Sequence, residues 1–109
     1  MPRLGGENMK QLKKGDTITI LGRRWFERVN GNTYHSVKVY VNGILIDKID
    51  YDYGYGSQYL QNGQELLAKY FDLGLKKYDN GMSESLWHLK DKGITIIDDV
   101  VDVQRKKDL

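Results

Sequence analysis

Two Asn-Gly dipeptides, Asn30-Gly31 and Asn42-Gly43, bracket a stretch in which apolar and polar residues alternate. Asn-Gly readily takes the positive φ angles that tight hairpins require, so the chain between them reads as a central strand with a neighbour on each side. From Thr33 to Val41, Val37, Val39 and Val41 share one face, and Tyr34, Ser36, Lys38 and Tyr40 share the other. That is the period-2 pattern of a half-buried strand. Thr17 to Val29, rich in β-branched and aromatic residues, precedes it, and Ile44 to Tyr53 continues as a third strand. A two-residue loop at Asn42-Gly43 places Val41 opposite Ile44, Val39 opposite Ile46, and Lys38 opposite Asp47 on the second face. The first hairpin leaves a choice. A two-residue loop puts Phe26 on the valine face and a three-residue loop puts Trp25 there, because a one-residue slip exchanges the faces.

Beyond the strands the period changes. Ser57 is placed to cap a helix from Gln58 to Leu73, where Tyr59, Leu60, Gly63, Leu66, Leu67, Tyr70 and Phe71 recur at helical spacing and Gly74 ends it. After a turn at Asn80-Gly81, Ser83 can cap a shorter helix, Glu84 to Lys92, ended by Gly93. Ile94 to Val103 reads as a final strand that can add to the sheet edge. The expected fold is therefore α+β: a three-stranded antiparallel meander, two helices and a C-terminal strand (β-β-β-α-α-β), with a single layer of helix on sheet. Residues 1–16 read as a flexible basic lead-in, with a turn of helix around Asn8 to Leu12, and residues 17–109 as one domain.

The 109 residues contain no cysteine, which excludes disulfides, thiolate zinc sites and thiol nucleophiles. No apolar run is long enough to span a membrane, and the N-terminus lacks the apolar core of a signal peptide. Lys106-Lys107-Asp108-Leu109 reads as a frayed charged tail. A cytoplasmic setting is expected. Seventeen basic and fifteen acidic side chains leave a net charge of +2, too small to announce a nucleic-acid binder. The acidic residues gather in Asp47, Asp50 and Asp52 and in Asp98, Asp99 and Asp102.

Catalytic patterns are missing. His35 and His88 lie on separate elements, and His35-Ser36 cannot act as a pair because adjacent strand residues point to opposite faces. The aspartates have no glutamate or histidine at a recognisable metal-ligand spacing, and Gly54-Tyr55-Gly56 lacks the rest of a phosphate loop. No catalytic residue, metal or cofactor is expected. Binding is better represented. Eight tyrosines is a high count for this length. Tyr34, Lys38 and Tyr40, with Arg23 or Arg24 and the loop residues Tyr53 and Tyr55, offer rings that stack on bases and cations that hold phosphates. Tyrosine also suits protein contacts.

Arg24-Trp25-Phe26, Gly31-Asn32-Thr33-Tyr34-His35-Ser36-Val37, Tyr53-Gly54-Tyr55-Gly56, Tyr59-Leu60 and Asp99-Val100-Val101-Asp102-Val103 together resemble a small family of accessory proteins encoded by phages and prophages. The resemblance runs from about Ile18 onward. It implies a phage accessory protein acting in a bacterial cytoplasm and carries over no catalytic residues. Two functions follow as expectations. One is a non-enzymatic module that contacts nucleic acid through the tyrosine-rich sheet face and the Tyr-Gly loop. The other is an inhibitor directed at a host protein, such as a CRISPR or restriction nuclease. Aspartates on the tyrosine face would favour the protein target, and aspartates on the opposite face would favour nucleic acid.

Overall fold

The computed structural model describes residues 10–76, 78–79 and 84–109. In chain order the elements are β1 (Lys10–Gln11), β2 (Thr17–Glu27), β3 (Asn32–Val41), β4 (Ile44–Tyr53), α1 (Gln58–Ala68), β5 (Phe71–Asp72) and β6 (Thr95–Val103). Short 3-10 helices occupy Leu86–Lys92 and Lys106–Asp108.

The main sheet has the order β4-β3-β2-β6, and β1 pairs with β5 in a separate two-stranded parallel ladder. β2, β3 and β4 are antiparallel neighbours, whereas β6 runs parallel to β2. This corrects the expected β-β-β-α-α-β arrangement on an antiparallel sheet. The main sheet is mixed, and α1 is the one α-helix among the described residues. β4 and β6 share a direction, so the chain must cross back between them, and α1 begins that return over one face.

The expected Gln58–Leu73 helix ends at Ala68. The N–H groups of Lys69 and Tyr70 reach back three residues to the Leu66 and Leu67 carbonyls, tightening the last turn. Phe71 then enters β5 and is buried in the core. Ser57 stands before the helix but makes no side-chain cap bond. The second expected helix is the 3-10 turn Leu86–Lys92, capped by Ser85, whose Oγ accepts the Trp87 N–H. Gly93, at φ 82°, ends it. The expected Asn80-Gly81 turn and Ser83 cap lie outside the described residues. The turn of helix expected around Asn8 to Leu12 falls partly outside them, and Lys10–Gln11 are strand.

The hairpin registers also differ in detail. Glu27 pairs with Asn32, so the first connection has four residues. Phe26 consequently keeps the parity of the valine face, yet it lies beyond the helix and is exposed. Trp25 points to the other face, so neither ring joins the core. In the second hairpin Val41 does oppose Ile44, but Ile46 then bulges, so Val39 meets Asp47 and Lys38 meets Lys48. A second irregularity sets Asp50 and Tyr51 against Ser36. The first bulge turns Ile49 toward the core, and the second restores Tyr51 and Tyr53 to the face they would have had without bulges.

The core forms between the sheet and α1. Ile18, Ile20, Val37 and Val39 from the sheet meet Tyr59, Leu66 and Leu67 from the helix. Two glycines set the distance. A Cβ on Gly22 would fall 2.7 Å from Tyr59 Cδ2, and one on Gly63 would fall 3.0 Å from Ile20 Cγ2. Leu86, Leu89, Ile94 and Ile96 extend the core beneath β6.

Candidate functional site

The face of the sheet away from α1 carries a row of rings. Trp25 on β2, Tyr34 on β3 and Tyr51 on β4 stack across three strands. Their centroids are 5.9 Å apart for Trp25–Tyr34 and 4.9 Å for Tyr34–Tyr51, at interplanar angles of 27° and 15°. Tyr53 meets Tyr34 edge-on at 5.6 Å. The alternation of β3 and the paired bulges of β4 bring these side chains to one face. Burial, then the neighbouring Tyr34, pushes the Tyr51 phenol above its ordinary range.

Below the row lies a groove of about 280 Å³ lined by Arg23, Ser36, Lys38, Tyr40, Asp50 and Asp99, with Leu21, Ile49, Val101 and Leu109 among its apolar walls. The segment after β6 crosses this face. Arg23 Nη1 donates to the Asp108 carbonyl oxygen at 2.9 Å, and Lys106 Nζ sits 4.6 Å from the Tyr51 centroid. Arg105 pairs with Asp108 inside the 3-10 turn. The expected frayed tail is therefore an ordered turn seated on the sheet.

Of the expected contact residues, Arg23, Tyr34, Lys38, Tyr40 and Tyr53 share this open face. Arg24 and Tyr55 do not. Arg24 has the helix-side parity, pairs with Asp102 at 2.9 Å and donates to the Gly56 carbonyl oxygen. Tyr55, 72% exposed, stands past the end of β4 beside Arg24, Phe26 and Arg28 in a second cleft. Trp25, Tyr51 and Lys106 belong to the face but were not among the expected site residues. Tyr51 has the parity of Tyr53, and that was the available signal. The Lys106 contact follows from a chain reversal after β6 that no local pattern announces.

The loop joining β4 to α1 is fixed from below. His35 is 1% exposed and has both ring nitrogens engaged. The Gly54 carbonyl, 3.2 Å from Nδ1, can only accept, so Nδ1 carries the proton and Nε2 accepts from the Asn62 amide at 2.7 Å. Asn62 donates its other N–H to Asp52 and accepts from Gln58. Gly54 lies at φ +153°, and a Cβ there would meet Gln58 Cγ at 2.5 Å. The glycines and His35 thus serve the path of the backbone, while Tyr53 and Tyr55 are held outward.

The acidic groups divide between the faces. Asp47 and Asp52 accept from Tyr70 and Asn62, and Asp98 and Asp102 from Tyr59 and Arg24, all on the helix side. Asp50 and Asp99 line the open groove, with Asp50 paired to Lys48 at 3.1 Å. Among the described residues no group of three acidic or histidine side chains could hold a metal ion, and no helix is long and apolar enough to cross a membrane.

Comparison with family models, curated proteins and solved structures returns no match.

Proposed function

We propose that this chain is a small non-enzymatic binding protein whose open sheet face takes single-stranded nucleic acid. The observation that carries the reading is the Trp25–Tyr34–Tyr51 row with Tyr53 beside it, flanked by Arg23 and Lys38. Tyr34 is sandwiched within the row, so the end rings, Trp25 and Tyr51, are the ones with a side turned away from it on which a base can stack, and neighbouring cations follow the backbone phosphates. Four of the six clustered aspartates are turned to the helix side, which favours an anionic partner on this face. His35 is enclosed and engaged at both nitrogens, so it is not offered to a substrate. Tyr55 with Arg28 extends the surface around the end of the sheet. The resemblance to phage accessory proteins suggests a bacterial cytoplasm as the setting.

A second reading has its own support: the open face already accepts a stretch of polypeptide, and Asp50 and Asp99 lie in its groove. That pattern suits an inhibitor directed at a host protein, such as a defence nuclease. Fluorescence anisotropy with labelled oligonucleotides separates the two. Tyr53→Ala should weaken oligonucleotide binding by about 1–3 kcal/mol. Arg23→Ala or Lys38→Ala should each reduce the salt slope by roughly one. Absence of binding at low salt would remove the nucleic-acid reading and leave the inhibitor.

A further inference from the structure

We propose that the segment Lys106–Leu109 holds the place of a nucleotide unit: when it lifts, a base stacks on Tyr51 and its phosphate sits on Arg23. This rests on the nucleic-acid reading above. Two recognition groups of the open face are already engaged, and one short stretch engages both. Tyr34 covers one side of the Tyr51 ring in a near-parallel stack, so the Lys106 ammonium marks the other side, where the row ends. The Asp108 carbonyl on Arg23 marks an acceptor position. A phosphate oxygen would fill that position with a full charge in place of a dipole, so that both partners of the bond would be ionised, as in the paired Arg–phosphate contact. A base would cover the Tyr51 ring with its whole plane, where the ammonium presents a single point.

The segment is suited to leave. Its turn bonds, from Asp108 N–H to the Arg105 carbonyl and from Leu109 N–H to the Lys106 carbonyl, stay between residues 105 and 109 and tie nothing to the sheet. Among the described residues its attachment to the sheet consists of one hydrogen bond, one cation over a ring, and Leu109 against the groove. Segments with few buried contacts open at low free energy.

The test compares the parent with a K106Q/L109S double variant in titrations with a short labelled oligodeoxythymidylate. If the segment is docked roughly nine-tenths of the time, releasing it tightens binding about tenfold. A Lys106 that acted as a plain phosphate contact would give the opposite sign, because its loss weakens binding. Adding Tyr51→Ala to the double variant should cancel the gain. In the parent, the Lys106 side-chain proton resonances, shifted upfield by the ring, should return to ordinary values as the oligonucleotide saturates the protein. If the oligonucleotide binds while those resonances stay in place, or if the double variant binds no tighter, the proposal is overturned and the nucleic-acid reading stands. Failure of every variant to bind the oligonucleotide overturns both. Capture of a free Arg-Lys-Lys-Asp-Leu peptide by the double variant would then assign the groove to polypeptide.

Discussion

Single residues in this protein do their structural work through hydrogen-bond demand and through space. Gly54 has neither the backbone angle nor the room for a side chain, since a Cβ would press on Gln58 and on His35 Cε1 at 3.1 Å. Gly54→Ala should therefore destabilise the fold by more than about 1 kcal/mol in urea melts; an unchanged midpoint would show that the loop is not anchored there. Asp16 illustrates charge. The Lys13 N–H, then the Asn42 amide, hold its carboxyl below the ordinary 3.8. A lowered native pKa adds stability above the unfolded value, and that stability is lost as pH falls through the native one. Tyr59 has the opposite sign. Burial, then its bond to Asp98, raises it from 10.0 to about 12, so its contribution is present below pH 10 and lost as pH rises toward 12. Urea midpoints measured across pH should fall at both ends. Asp16→Asn should flatten the acid limb, and Tyr59→Phe the alkaline one.

Among the elements, α1 is held by close approach more than by its own propensity. It has no side-chain cap, no acidic residue in its first turn and a glycine in its interior, so tertiary packing must supply its stability. Leu67 is fully buried in the core cluster, and Leu67→Ala should cost about 2–5 kcal/mol, read from thermal or chemical melts. A parent-like melt would place α1 off the core. Gly63 belongs to the same argument, because its missing Cβ lets α1 rest on Ile20 and Val39. The helical spacing of Tyr59, Leu66 and Leu67 was legible, but the end of the helix was not. Tyr70 and Phe71 continue the apolar pattern, yet Phe71 is drawn into β5 by pairing with Lys10, far away in the sequence.

At the scale of the molecule the sheet has two outer strands, β4 and β6, whose outer edges pair with no other strand among the described residues and could recruit another chain. Their aspartates protect them. Asp47, Asp52 and Asp99 accept the N–H of Lys48, Tyr53 and Val100 at 2.8, 2.9 and 2.9 Å, occupying donors that an added strand would need. Part of the acidic clustering thus follows from sheet architecture. An Asp47→Ala/Asp99→Ala variant should self-associate more readily, seen as a concentration-dependent rise in light-scattering mass. A monomer at all concentrations would show that the edges are guarded by something else.

Local chemistry determined the four strands of the main sheet, the Asn42-Gly43 turn with its Val41–Ile44 pair, and the shared face of Tyr34, Lys38 and Tyr40. Each depends on a two-residue period or on a backbone angle that a particular residue permits. The tertiary structure decided the rest. It set the parallel docking of β6, because Ile96, Ile97, Val100 and Val101 supply apolar residues of both parities and so specify neither face nor direction. It placed two bulges in β4, chose Arg23 rather than Arg24 for the tyrosine face, and seated Lys106 on Tyr51. These outcomes depend on contacts between residues distant in the chain, and a linear pattern holds no record of which distant partner buries more surface or satisfies more hydrogen bonds.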